Sequence, residues 1–127
     1  MNFEKVLFAF FILLAMTLNF GFFYGDQTDP SQHHVYELFA AIVISLIATI
    51  MKFGDRSQVG AVLLATSLVA DLQLVAAAAV WGVAVYVLNL PLSASVMSTI
   101  VSLSGGALLA NIVSTILLVI ETAVARR

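Results

Sequence analysis

Cysteine is absent from this chain, and charged side chains are scarce. Without cysteine the chain can form no disulfide, thiol nucleophile or cysteine-ligated metal centre. Only 9% of the residues are charged, whereas a soluble domain carries about a quarter. The chain therefore has too few polar side chains to face water on all sides. The formal net charge is −2 and there is no basic stripe, so nothing indicates a nucleic-acid partner.

Motifs of the common enzyme classes are also missing. The chain has no phosphate-binding glycine loop, no GxSxG and no HExxH, which are the spacings that place nucleophiles, phosphates or zinc. An intramembrane protease of the paired-aspartate kind needs two deep carboxylates, and this chain offers only Asp71. We therefore expect a protein that is not an enzyme and carries no cofactor.

Long apolar runs fill most of the sequence instead. Hydrophobic residues make up 62% of the chain and the mean hydropathy is +1.11. Runs of about 18 or more apolar residues are typical of membrane spans. The first run is followed by no small-x-small cleavage site, so we expect it to remain as a helix. We predict one all-α, integral membrane, four-helix domain in the lipid bilayer, with spans at about residues 6–23, 35–53, 59–88 and 92–125.

The basic residues predict the orientation of these spans. In a four-span arrangement all five fall on one side of the membrane, namely Lys5, Lys52, Arg56, Arg126 and Arg127. The other two connections contain no lysine or arginine. Because basic residues are enriched in cytoplasmic segments, we expect both termini to be cytoplasmic.

The last two spans are longer than a bilayer requires. About 30 residues make about 45 Å of helix, against a hydrocarbon core of about 30 Å. We expect the hairpin around Pro91 to project outward. The alternative is a helix broken within the membrane, at Gly82 or at Gly105 and Gly106.

Asp71 is the strongest indication of function. It lies near the middle of the third span, where an aspartate costs about 2.5–3.5 kcal/mol and is functional by default. Ser67 lies one turn before it, and Asn19 and Asn111 reach similar depths in other spans. We expect Asp71, Asn19 and Asn111 to meet in one layer that binds a cation or relays a proton, with Ser67 as an additional oxygen nearby. The alternative is a polar clamp between helices.

A second group of polar residues lies near the start of the second span. Glu37 begins a stripe of small and hydroxyl side chains that continues through Ala41, Ser45 and Thr49. A carboxylate above such a stripe suits an entry site for cations. His33 and His34, with nearby carboxylates, could also bind a divalent metal, although adjacent histidines are more commonly the polar start of an interfacial helix.

Small residues recur at every fourth position of the last span, and we call this set the small-residue seam. Small side chains at this spacing allow helix backbones to approach closely in lipid. The seam therefore predicts helix packing. Its members are Ala94, Ser98, Ser102, Gly106, Ala110 and Ser114.

The stretches "HHVYELFAA" and "ATSLVADLQL" resemble small four-span bacterial inner-membrane proteins of unassigned function. This resemblance implies a location in the bacterial inner membrane and no particular activity. Because one small bundle has little interior in which to enclose a charge, we expect a homo-oligomer. The leading hypothesis is an oligomeric channel or transporter subunit for cations or protons. The alternative is a non-transporting accessory or scaffold subunit of a membrane complex.

Overall fold

Four long helices form the chain in the computed structural model, which describes residues 3–55 and 57–125. No strand occurs within these ranges, so the all-α prediction is confirmed. Each long helix is apolar enough to cross a membrane. Each begins within three residues of its predicted span and all but the third also end within one residue of it, whereas the α-helical part of the third span ends at Gly82, six residues before the predicted end. The helices are α1 (Phe3–Phe23), α2 (Val35–Lys52), α3 (Gln58–Gly82) and α4 (Ala94–Ala125).

The helices pack as an antiparallel ring in which each contacts its neighbours in sequence and α1 also contacts α4. We call the end that holds residues 3, 52, 58 and 125 the terminal end, and the opposite end the hairpin end. Lys5 and Lys52 lie at the terminal end, where Lys5 Nζ is 3.3 Å from Glu121 Oε1. The other three basic residues, Arg56, Arg126 and Arg127, lie outside the described residues.

The end of α2 is set back from the terminal end. Asp71 contacts Thr49, which lies three residues, or about 4.5 Å, before the last residue of α2. The same Asp71 lies thirteen residues, or about 20 Å, after the start of α3. The first turns of α3 therefore extend about 15 Å beyond the end of α2.

The long second hairpin is not broken within α4, which continues through Gly105 and Gly106. After Gly82, α3 changes to a π-helical segment at Val83–Val87, and Asn89 then turns the chain with a left-handed φ of 53°. The loop between α1 and α2 folds against the projecting part of α4. There Gln27 Nε2 donates to Ser102 Oγ over 2.8 Å.

The buried apolar residues form two clusters. The hairpin-end cluster contains Phe22, Leu38, Ala41, Ala70, Leu74, Ala77, Met97, Ile100, Val101 and Ala107. The terminal-end cluster contains Phe8, Ile12, Ala48 and Leu63. Along α3, Ser67 lies between Leu63 of one cluster and Ala70 of the other. Ser67 and the neighbouring Asp71 therefore lie near the boundary between the clusters.

Large apolar side chains also cover the outside of the bundle. Ile50, Leu72 and Leu109 are each about two-thirds or more exposed, at 67%, 71% and 66%. Soluble proteins rarely expose such extensive apolar surface. This surface suits contact with lipid.

Candidate functional site: a buried carboxylate between two helices

Asp71 joins α3 to α2 through two hydroxyl groups. Its side chain is buried, with 7% exposed. Ser45 Oγ donates to Asp71 Oδ1 over 2.6 Å, and Thr49 Oγ1 donates to Oδ2 over 2.5 Å. Because Ser45 and Thr49 are four residues apart, they lie on the same face of α2. Both carboxylate oxygens therefore have a partner.

The Thr49 hydroxyl contacts two acceptors, because its oxygen is also 2.9 Å from the Ser45 carbonyl oxygen. A hydroxyl has one hydrogen, so it can donate fully to only one of them. If Asp71 carries a proton on Oδ2, it donates to Thr49, and Thr49 donates to the carbonyl. If Asp71 is ionised, Thr49 turns to donate to it. The site thus accommodates both forms by rotation of one hydroxyl.

One surface depression reaches Asp71, and a second lies nearer the terminal end. A shallow apolar groove of about 410 Å³ between α2 and α3 includes Asp71 and Thr49 in its lining, together with Leu46, Ile50, Phe53, Leu68, Leu72 and Val75. A cleft of about 540 Å³ at the terminal end is lined by Lys5, Lys52 and Asp55 among others. Lys52 lies one turn from Thr49. A residue that lines this cleft is therefore one helical turn from a residue that contacts the Asp71 carboxylate.

The predicted auxiliary residues are buried but do not hydrogen-bond to Asp71. Asn19 instead pairs with α4, where its Nδ2 donates to the Ser104 carbonyl over 3.1 Å and its Oδ1 accepts from Ser104 Oγ over 2.5 Å. Ser67 Oγ and both side-chain polar atoms of Asn111 have no hydrogen-bond partner within the described part of the chain. The expected single layer is therefore divided among three helix interfaces.

Glu37 lies apart from Asp71 at the hairpin end. It is half-buried in the first turn of α2, and its carboxylate lies against Gly21 of α1, where any side chain would collide with it. Eight residues, or about 12 Å of helix, separate it from Ser45. The fully buried Ala41 lies between them. Within the four-helix bundle, the two carboxylates are separated by packed side chains.

The two histidines have different environments. His33 is buried with 2% exposed. Its Nδ1 is 2.5 Å from the Phe22 carbonyl oxygen and its Nε2 is 2.7 Å from the Asp26 carbonyl oxygen. His34 is exposed and makes no side-chain cap. Across residues 3–55 and 57–125, no three metal-ligating His, Cys, Asp or Glu side chains cluster. The metal-site hypothesis therefore finds no geometric support there.

Short polar turns shape the loops at both ends. Hydrogen bonds from the Thr28 amide and hydroxyl lower the pKa of Asp26. Those from the Ser31 hydroxyl and amide lower the pKa of Asp29. Hydrogen bonds from the Ser57 hydroxyl and amide lower the pKa of Asp55. In each turn the ionised carboxylate is the form that the neighbouring donors stabilise.

Acid should therefore loosen these turns. Because each folded-state pKa is below the unfolded value of about 3.9, this stabilisation is complete above that value and is lost as the pH falls through the folded pKa. We expect the amide resonances of Thr28, Ser31 and Ser57 to stay constant from neutral pH to about pH 5 and to shift below about pH 4. Nuclear magnetic resonance in detergent micelles measures this. A midpoint above the ordinary aspartate value would contradict it.

The small-residue seam follows the edge of the α4 contact surface. Ser102 Oγ accepts from Gln27, Gly106 lies against the Gln73 side chain, and Ser114 Oγ is 2.6 Å from Thr66 Oγ1. Ala94 and Ser102 are exposed, Ser98, Gly106 and Ala110 are half-buried, and Ser114 is buried. The fully buried face of α4 is offset from the seam and runs through Met97, Ile100, Val101, Ser104, Ala107, Asn111 and Ser114.

Three partner residues were not predicted as part of the site. Ser45 and Thr49 bond Asp71, and Ser104 bonds Asn19. The stripe that begins at Glu37 contained a signal for the first two, because a serine and a threonine one turn apart in an apolar helix present two hydroxyls to one neighbour. Ser104 had no distinguishing signal among the serines of α4.

Comparison with protein families places most of this architecture in one group. A family of unknown function, DUF6394, matches residues 32–122. The match covers α2, α3 and most of α4, including Asp71 and both of its hydroxyl partners, while Asn19 precedes it. Comparisons with curated proteins and with solved structures gave no match. The chain belongs to the DUF6394 family, whose function is unknown.

Proposed function

We propose that this protein is an oligomeric membrane channel or transporter subunit in which Asp71 binds and releases a proton. The observation that carries the proposal is the single Thr49 hydrogen between two acceptors, the Asp71 carboxyl and the Ser45 carbonyl. In this geometry Asp71 can hold a proton while the Thr49 hydroxyl and the Ser45 carbonyl both keep a hydrogen-bond partner. It also releases the proton without moving a helix, as a relay needs.

A proton fits this site better than a metal cation does. The hydroxyl oxygens lie only 2.5–2.6 Å from the carboxylate oxygens, and these distances are those of direct O–H···O hydrogen bonds. An ion at the same place would have to separate these oxygens. Inorganic cations are therefore the second choice of substrate.

Access to Asp71 supports the same proposal. The lining of the terminal-end cleft includes Lys52, which lies one turn from Thr49 along α2, and in the proposed orientation this cleft faces the cytoplasm. On the other side, the α2–α3 groove opens laterally, so that neighbouring copies in a homo-oligomer would enclose it. Glu37 would then form an outer ring of carboxylates that attracts cations at the opposite membrane surface.

Proton flux into liposomes tests the proposal. Purified protein is reconstituted with a pH-sensitive dye inside, and a potassium gradient with valinomycin supplies the driving voltage. We expect wild-type protein to carry protons and Asp71→Asn to lose most of the flux, because an amide cannot release a proton in this pH range. The control Glu121→Gln changes a carboxylate at the terminal end, where it pairs with Lys5, and should leave the flux unchanged.

Two outcomes would contradict the proposal. One is undiminished flux in Asp71→Asn. The other is wild-type protein that carries neither protons nor inorganic cations under any gradient, although its oligomer is intact. Thr49→Val should fall between wild type and Asp71→Asn, because it removes the hydroxyl that exchanges between the carboxyl and the carbonyl but leaves the carboxyl in place.

The alternative function is a non-transporting accessory or scaffold subunit. One observation favours it: both oxygens of Asp71 already have partners on α2, as a clamp between two helices would need. In that case Asp71→Asn would weaken the association of the oligomer or of the larger complex, and no variant would change flux. Size-exclusion chromatography of the same samples distinguishes the two functions.

A further inference from the structure

Asn111 and Ser67 are buried polar residues whose side chains lack protein partners. Each is 1% exposed. Asn111 Oδ1, Asn111 Nδ2 and Ser67 Oγ form no hydrogen bond with any of the residues that the structure describes. Buried polar groups in proteins are almost always paired, either with protein or with ordered water. In the apolar interior of a membrane bundle, this pairing matters even more.

The two residues lie at similar levels of the packed helices α3 and α4. Thr66 contacts Ser114, and Gln73 contacts Gly106. Because the helices are antiparallel, a residue further along α4 lies opposite an earlier residue of α3. These two pairs therefore place Asn111 at the level of residue 69. Asn111 is therefore about two residues, or about 3 Å along the axis, from the level of Ser67.

The neighbours of Asn111 on α4 show which helices surround it. Ser104, two turns before it, bonds Asn19 of α1. Ser114, one turn after it, contacts Thr66 of α3. Residues at these spacings share one face of a helix. Asn111 thus points to the line where α1 and α3 both meet α4.

We propose that Asn111 and Ser67 bind internal water between α1, α3 and α4. An amide offers two donors and one acceptor, and a hydroxyl can both donate and accept. Water matches this mixed set, because it also donates and accepts and commonly makes about three hydrogen bonds when buried. Neither residue is charged, so the pair does not suit an unpaired ion. This inference does not depend on transport by Asp71.

Magnetisation transfer from water tests the proposal directly. Selective ¹⁵N labelling of asparagine gives few side-chain signals, because the chain contains only Asn2, Asn19, Asn89 and Asn111. In nanodiscs, we expect the Asn111 side-chain amide to receive magnetisation from water. Asn19 is the matched control, since it is equally buried and donates to a protein carbonyl. An Asn111 signal as weak as that of Asn19 would overturn the proposal.

A double-mutant cycle provides a second test that does not require spectral assignment. Asn111→Leu keeps a similar shape and removes the amide. If water links the two residues, this change leaves Ser67 without a partner and raises the unfolding equilibrium constant roughly tenfold. Ser67→Ala should then add little in the Asn111→Leu background. A more stable Asn111→Leu protein, or strictly additive effects, would show that the two groups share no water.

Discussion

Asp71→Leu is expected to unfold less readily than wild type and to carry no protons. An aspartate in the middle of a membrane helix costs about 2.5–3.5 kcal/mol, whereas leucine is favourable there. The change removes two hydrogen bonds with net contributions of about 1 kcal/mol each. The Thr49 hydroxyl keeps an acceptor, because the Ser45 carbonyl lies 2.9 Å away. We therefore expect a net gain of about 1 kcal/mol.

The neighbouring surface favours this result. The groove beside Asp71 is lined by apolar side chains that include Leu68, Leu72 and Val75, and a leucine would extend this apolar surface. Unfolding in sodium dodecyl sulfate, followed by circular dichroism, measures the change, with Leu72→Ala as a control for altered packing in the groove. A purely structural clamp predicts the opposite sign, namely a less stable Asp71→Leu protein. Higher stability together with lost flux would indicate that the carboxylate is kept for function.

His33→Ala is expected to destabilise the protein by about 2–4 kcal/mol. The ring fills a buried position, lies 5.6 Å from the Phe22 ring and contacts two backbone carbonyl oxygens. Because carbonyl oxygens only accept, a ring nitrogen that carries hydrogen donates to the carbonyl oxygen beside it. The ring lies at the C-terminal end of α1, where the last backbone carbonyl groups have no partner within the helix.

His34→Ala is the matched control for this prediction. The two histidines are adjacent, but His34 is exposed and makes no side-chain cap, so its loss should change stability by no more than about 0.5 kcal/mol. Thermal unfolding of both variants in the same detergent gives the comparison. Equal effects of the two substitutions would mean that the contacts of His33 contribute nothing.

The sequence predicts the helices well because apolar runs and charged connections determine where a chain can cross a membrane. It also predicts that Asp71 is buried. The partners of Asp71 could not be predicted, because they depend on how far α3 begins beyond the end of α2. A hairpin in which Lys52 and Gln58 lie at the same level would place Asp71 opposite residue 39. The set-back end of α2 moves the contact to Ser45 and Thr49 instead.

The small-residue seam shows a second limit of sequence patterns. Each step of four residues advances about 40° beyond a full helical turn, so six positions spread over about 200° of the surface. One neighbour cannot contact all of them. Ser102 accordingly contacts the α1–α2 loop, while Gly106 and Ser114 contact α3. A spacing of three and four residues in alternation would have followed the buried face more closely.

The set-back end of α2 makes the surroundings of Asp71 dependent on bilayer thickness. α2 has 18 residues, about 27 Å of helix, while a hydrocarbon core measures about 30 Å. Lipids beside α2 therefore have to shorten, or Lys52 has to extend toward the headgroups. In a thin membrane, water and headgroups come within one turn of Thr49. In a thick membrane, acyl chains surround this end of α2 instead. Under the proposed function, lipid chain length would therefore control how much water reaches the neighbourhood of this carboxyl.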